Sequence, residues 1–448
     1  MGEQVVPVDW EISADEGFRW VVQRGTTYAT PDWAHSVHVE PVALEPGTRY
    51  WYRFASGGFR SAAGRTRTAP ALGTDPGRLR LAVASCQQYE HGYYVAYRHM
   101  LDDELDLVLH VGDYIYERSW GRNLVWRHGA PECYTLDDYR TRHALYRGDH
   151  DLQAAHASCP WMVTWDDHEV DNDYANDTSE ENDDPALFLA RRAAAYQAYY
   201  EHMPLPRRAV PFGPNMRLYC TQAFGGLANL LMLDERQYRA TQACPRPGRR
   251  GANRVGDCAE LFDPARSKLG ARQEEWLAAQ LAASKAQWTL LAQGTVVAYI
   301  DEQPGPGELF WTDGWNGYPV ARDRLLDTLA TTKAANPVVL SGDIHAFLVA
   351  SLNHRASDLS TPIVASELTT TSISSQGVPQ KAVEERLRAN PNLLFADSDR
   401  RGYLLLDVDR ERLEAQLVAM ETVATPDAGR FVLATFVVES GRPGPIPA

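Results

Sequence analysis

Residues 105–116 read LDLVLHVGDYIY. A short, nearly unbroken apolar run that stops at Gly112-Asp113 has the length and composition of a strand buried on both faces, followed by a tight turn. The same construction recurs along the chain. LRLAVAS leads to Cys86, WMVTW (161–165) to Asp166-Asp167-His168-Glu169, and ANLLML (228–233) to Asp234-Glu235-Arg236. WTLLA (288–292) leads to Gln293, and NPVVLSG (336–342) to Asp343-Ile344-His345. Helical stretches are expected between these runs at 93–103, 185–202 and 270–284. Buried strands alternating with helices define an α/β (α+β) domain.

Residues 1–70 differ in pattern. VPVDWEI, RWVVQRG, HSVHVEPV and TRYWYRFAS are rich in Val, Tyr and Trp and are separated by turn signals, so each is expected to be a strand. They suggest a small all-β, fibronectin type III-like domain, shorter than a full sandwich of about 100 residues, with a first strand expected to be missing. The Pro/Gly-rich stretch around 69–78 is the expected boundary, giving a β domain at 1–70, a linker at 71–78 and a catalytic domain at 79–448.

The chain has 448 residues, 44% hydrophobic and 23% charged, and a net charge of −15. This composition excludes a disordered or fibrous chain. With no Lys/Arg block, the charge argues against a nucleic-acid partner or a general anionic-membrane binder. No apolar run reaches the ~18 residues of a spanning helix, and the N-terminus MGEQVVPVDWEIS lacks a basic head followed by an apolar core. Of six cysteines, none form a C-x-x-C pair. Cys244 and Cys258 bracket a turn-rich loop that a disulfide would order, which points to an oxidising, secreted setting. Two reduced thiols are the alternative there, and the pairing of Cys133, Cys159 and Cys220 stays open.

The acidic residues are unevenly spread. Ten Asp or Glu fall in 166–184, and no Lys or Arg lies between Arg147 and Arg191. Alone, such a segment reads as a solvated loop. However, in an α/β sheet ligands bind at the carboxyl ends of strands, so six strands would bring thiol, carboxylate, phenol, imidazole, amide and guanidinium groups together. Asp113, Asp167 and Asp343 would repel one another unless cations compensate. Cys, Tyr and His suit a transition metal, and carboxylate oxygens a harder ion.

The order GD-x-x-Y, DDHE, GD-x-H resembles the calcineurin-like metallophosphoesterase series, with Asp167 in place of an Asn and Asp343 in place of a His. With Ser85-Cys86-Gln87, TLDDYRTRHALYRGD (135–149), MLDERQYR (232–239), DGWNGYPVAR (313–322) and SGDIHAFLVA (341–350), the chain is identified as similar to the PhoD-type alkaline phosphatase and phosphodiesterase family. The resemblance implies a two-sheet αββα metallophosphoesterase sandwich that hydrolyses phosphate esters with a metal-activated hydroxide. It implies ferric iron held by Cys86, Asp113, Tyr116 and His345, and a second position held by Asp113, Asp167 and Asp343, expected to carry calcium, with manganese or zinc as alternatives. Gln293 stands where related enzymes place a His ligand. His168 is implied as general acid, and Arg236 as a two-toothed partner of a phosphate oxygen.

Two other classes compete. A thiol hydrolase using Cys86 with His168 or His345 would leave three carboxylates without cations. A calcium-binding adhesion module would not need Cys86, Tyr116 or His168. Within the phosphoesterase reading, the substrates considered are small diesters, phospholipids and teichoic acids. Phospholipase D with transient membrane-surface contact is the runner-up. Trp120, Trp126, Trp311, Trp315 and Tyr318 would then line a lipid-accepting mouth, or else act as ordinary loop anchors.

Overall fold

The strand-ending turns converge because the strands that carry them run parallel. The computed structural model describes residues 2–303 and 305–448. Its N-terminal strands β1 (Val6–Ser13), β2 (Val21–Ala29), β3 (Arg49–Ser56), β4 (Phe59–Arg60) and β5 (Gly64–Arg67) form one antiparallel sheet with β1 between β2 and β3. Burial alternates along β2, as a sheet with one covered face requires. HSVHVEPV (35–42) is not a strand, contrary to expectation. Its groups turn to the rest of the chain instead: His38 Nδ1 lies 2.8 Å from the Leu205 carbonyl and its ring stacks on Tyr200.

The chain continues through β6 (Leu79–Ala84), α1 (Val95–Met100), β7 (Leu107–Val111), α2 (Leu136–Arg147), α3 (His150–Ser158), β8 (Trp161–Thr164), α4 (Pro185–His202), β9 (Cys220–Phe224), β10 (Ala228–Met232) and β11 (Arg254–Val255). There follow α5 (Ala271–Ala283), β12 (Trp288–Ala292), β13 (Phe310–Trp311), α6 (Pro319–Thr332), β14 (Pro337–Ser341), β15 (Phe347–Arg355), β16 (Asp358–Thr369), α7 (Gln380–Ala389) and β17 (Leu393–Asp397). The last strands are β18 (Gly402–Val408), β19 (Arg412–Met420), β20 (Arg430–Glu439) and β21 (Arg442–Pro447).

Two seven-stranded sheets result, ordered β21-β20-β19-β18-β6-β7-β8 and β17-β15-β16-β14-β12-β10-β9. β6, β7 and β8 are mutually parallel, as are β10, β12, β14 and β16. Period-two alternation assigns the faces. Leu81, Val83, Leu109 and Val111 point between the sheets, where they meet Leu230, Met232, Leu290 and Leu340. Ala82, Ala84 and Val108 point the other way, under Tyr97, Tyr139, Leu152 and Tyr196 of α1–α4. Leu231, Leu291 and Val339 lie under Leu277 and Leu326 of α5 and α6. Strands covered on both sides account for the unbroken apolar runs. The architecture is therefore the expected αββα sandwich beside a small β domain.

Helix α4 starts where the sequence switches from acidic to apolar. Asp184 accepts from the Ala186 and Leu187 amides, and Pro185 fills the first helical position. The N-terminal domain docks on the outer helices by polar contacts. Arg65 Nε donates to Ser158 O at 2.6 Å, and Gln197 Nε2 to Asp32 O at 2.7 Å. It stands beside the edge strands β8 and β9 across a cleft of about 1100 Å³. Cys244 and Cys258 are disulfide-bonded, whereas Cys86, Cys133, Cys159 and Cys220 are free thiols.

Candidate active site

Gly112 and Gly342 explain why both Gly-Asp turns need glycine. Gly112 has φ +116°, and a Cβ there would sit 2.5 Å from Asp166 Cβ. At Gly342 a Cβ would sit 2.5 Å from Ser85 Oγ. Bare backbone thus lets each turn press against its neighbour. Glu169 locks two of these turns together: its carboxylate accepts from the Asp113 (3.1 Å), Tyr114 (2.6 Å) and Asp166 (2.8 Å) amides. Burial raises its pKa to about 8. Cys86, Asp113, Asp343 and His345 all have positive φ, between 53° and 67°. Four non-glycine residues in this region, at about 1–2 kcal/mol each, mark a site that the surrounding packing over-determines.

The structure brings most of the sequence-derived residues into two overlapping triads. Ligand atoms of Cys86, Asp113 and His345 lie within 4.8 Å of one another, as do those of Asp113, Asp167 and His168. Tyr116 belongs with the first: its hydroxyl donates to Asp113 Oδ2 at 2.9 Å and lies 3.1 Å from His345 Nε2. His345 Nδ1 is 2.7 Å from the Gln376 carbonyl. A carbonyl only accepts, so Nδ1 carries the proton and Nε2 turns a lone pair into the site. Trp120 stacks on the same ring, with centroids 5.6 Å apart.

Asp343 is in neither triad. It is partly exposed, and burial followed by the charges of Asp166, Asp313 and Asp167 pushes its carboxyl well up. Gln293 directly follows β12. Its Nε2 donates to Thr295 O at 2.5 Å and its Oε1 accepts from Trp315 Nε1 at 2.7 Å, so both ends of the amide are engaged within the protein. Arg236, expected from the sequence to meet a phosphate oxygen, is fully buried. Its Nε is bonded to Asp166 and its Nη1 lies 2.8 Å from Asp313, leaving Nη2 as the one nitrogen without a hydrogen bond among the described residues.

Several functional residues escaped the sequence reading. Glu117 is fully buried, and its Oε2 lies 2.7 Å from His168 Nδ1. Burial alone would depress the His168 pKa; Glu117, Asp167 and Asp113 outweigh it and hold the imidazole charged well above its usual range. Glu117 follows Tyr116 directly, and that position in the turn is the only trace it leaves in the sequence. Asp173 and Asp313 form a further triad with Asp167, and Asp313 comes from a distant loop. Part of the acidic segment 166–184 is paired with arginines: Arg236 on Asp166, Arg191 on Asp171, and Arg118 and Arg249 on Glu180.

The donor set fits metal ions. Asp113 Oδ1 is buried without a hydrogen-bond partner among the described residues. Burial and the neighbouring carboxylates push Asp113 well up, and burial with Asp113 does the same to Cys86. Cations would relieve all of these at once. Trp315 and Tyr318 are buried, so they are anchors and not a lipid-accepting mouth, whereas Trp126 is exposed. No helix among the described residues is long and apolar enough to cross a membrane.

Known proteins are similar to this chain. The PhoD-like phosphatase family model matches residues 81–417, and that of the PhoD-like phosphatase N-terminal domain matches residues 1–70. Alkaline phosphatase D of Bacillus subtilis (strain 168) is 43% identical over 452 residues, covering 99% of this chain and 76% of the relative. A solved structure described as "Structure of PhoD" superposes with a TM-score of 0.96 at 42% identity, covering 100% of this chain and 86% of that one. These matches favour phosphatase over phospholipase D. A cation-hungry cluster at the ends of parallel strands, in a chain that follows these proteins along nearly its whole length, makes this a metal-binding hydrolase of phosphate esters that belongs to the PhoD-like phosphatase family.

Proposed function

We propose that the site hydrolyses phosphodiesters and phosphomonoesters, with His168 as general acid and Glu117 as its positioning carboxylate. The observation that carries this is the 2.7 Å contact between His168 Nδ1 and fully buried Glu117, beside the Asp113–Asp167 carboxylates. Cys86, Asp113, Tyr116 and His345 would hold ferric iron, because thiolate, phenolate and imidazole are transition-metal donors. Asp113, Asp167 and Asp343 would hold calcium in the second position, with manganese or zinc as alternatives. When bound, the cations supply charge neutralisation for the phosphoryl oxygens and an activated water.

The remaining chemistry belongs to side chains. His168 keeps a proton for the departing alkoxide, typically worth about 10²–10⁴ in rate. Arg236 has Nη2 left to offer a phosphate oxygen, while Asp166 and Asp313 fix its plane. Gln293 holds Trp315. All of these residues fall within 79–448, which we take as the catalytic unit, with 1–70 as a separate β domain and 71–78 as the linker. The disulfide supports a secreted location, as expected in an oxidising compartment.

The test joins metal analysis of the purified protein to the kinetics of His168→Ala. The variant should retain iron and calcium and lose about 10²–10⁴ of kcat on alkyl esters. It should lose much less on nitrophenyl esters, whose leaving group needs no proton. Equal losses for good and poor leaving groups would remove His168 from the acid role.

A further inference from the structure

Beside Asp343 the protein has a pocket that the roles above do not use. It has a cavity volume of about 60 Å³ and is walled by Ile300, Trp311, Ile344, Val383 and Leu393, with Asp343 on its border. These side chains come from the loop after β12, from β13, from the turn after β14, from α7 and from β17. Asp343 therefore stands between two places: the charges of Asp166, Asp167 and Asp313 act on its carboxyl, while Asp343 and the next residue, Ile344, both line the pocket. His168 is in the triad with Asp113 and Asp167, which excludes Asp343. A phosphate held at the triads would then present one ester oxygen to His168 and could turn another group toward Asp343.

The charged groups at the pocket are already committed. Glu302 lies 2.9 Å from Arg386 and also pairs with Arg254, and the Arg254 guanidinium lies 5.4 Å from the centre of the Trp311 ring. The aromatic face that would attract a cationic ligand thus already has a cation near it. Glu302 is held by Arg386 and Arg254 and most other wall residues are apolar, so an uncharged alkyl group fits this lining better than a quaternary ammonium.

We propose that this pocket binds the retained ester group of a phosphodiester, the one that stays on phosphorus when the leaving group departs, and that it selects a compact, uncharged alkyl group. At about 10–15 Å³ per water-sized group, the cavity takes about four to six such groups. The retained alcohol is thus short and apolar. The inference rests on the phosphoesterase reading and extends it to substrate class.

The experiment measures kcat/KM of the metal-loaded full-length protein on nitrophenyl alkyl phosphodiesters, from methyl to octyl, with nitrophenolate always leaving. Rates should rise by about fourfold per methylene and level off near about five carbons. A flat profile, or a rise that continues through octyl, would overturn the proposal. Val383→Trp should flatten the series, bringing butyl and methyl to within about twofold. Val383→Ala should move the plateau outward, and a shift in neither variant counts against the assignment. The nitrophenyl diester of choline should be turned over more slowly than that of its uncharged carbon isostere; the reverse order would also overturn it. If no nitrophenyl diester or monoester is hydrolysed at all, the phosphoesterase reading fails and not merely the pocket.

Discussion

Glu117 governs His168 through one short contact, so its charge is the quantity to change. Glu117→Gln keeps a hydrogen-bonding group of nearly the same shape and removes the charge that holds the imidazole protonated. The His168 pKa should then fall, and the alkaline limb of the kcat/KM profile should move to lower pH by at least about one unit, with metal content unchanged. A pH profile superimposable on that of the parent would refute the coupling. The contrast with His168 is instructive for reading sequences. His168 was legible because it stands at a strand end among Asp166, Asp167 and Glu169, where the turn itself advertises chemistry. Glu117 sits one residue beyond Tyr116 with nothing to separate it from an ordinary turn residue. Arg236 was legible as a site residue but not in its commitments, since Asp313, one of the carboxylates that claim it, arrives from a loop far along the chain.

Between elements, the distance of approach decides whether the site exists. Gly112 ends β7 against the turn that follows β8, and Gly112→Ala would have to accommodate both φ +116° and a Cβ 2.5 Å from Asp166 Cβ. The variant should lose at least about 1–2 kcal/mol from the conformational strain alone. It should also bind metal more weakly, because Asp113 is displaced with the turn. Urea unfolding and metal titration check the two effects separately; full stability with full metal affinity would contradict the close-approach argument. At this scale the sequence served well wherever a local signal was complete. The stretch read as helical at 185–202 became α4 with the same limits, since Asp184 and Pro185 supply its start. HSVHVEPV had β-forming composition yet no strand to pair with, and docking onto Tyr200 and Leu205 claimed it. That partner lies more than 150 residues away, out of reach of local pattern.

For the whole molecule, part of the acid sensitivity follows from three histidines packed on β7, α2 and α3: buried His110 and His143, and partly exposed His156. Both ring nitrogens of His110 and His143 lack hydrogen-bond partners among the described residues, and His156 stacks on Trp161 with centroids 3.8 Å apart. Burial lowers the His110 pKa to about 3 and holds His143 and His156 well below the usual value. In the unfolded chain each takes up a proton near pH 6.5, whereas in the folded chain each resists until far lower pH. Their contribution to stability is therefore complete above about pH 6.5 and falls as the pH drops below it, by up to about 1.4 kcal/mol per pH unit for each imidazole. Urea midpoints of the metal-loaded protein between pH 8 and 4.5 should decline on the acid side, and His110→Phe should reduce that slope. An unaltered slope would acquit His110.

The placing of the N-terminal domain has a consequence for solubility. β8 and β9 are the outermost strands at the same side of both sheets, and each is hydrogen-bonded to only one neighbour. An outermost strand carries a row of free amides and carbonyls that invites strands from other molecules. The 1–70 segment stands beside both edges across the cleft and so obstructs the approach of other chains to two such rows. A chain cut within 71–78 would keep every candidate catalytic residue and lose that obstruction, so the shortened enzyme should self-associate, as light scattering would detect, before it loses its chemistry.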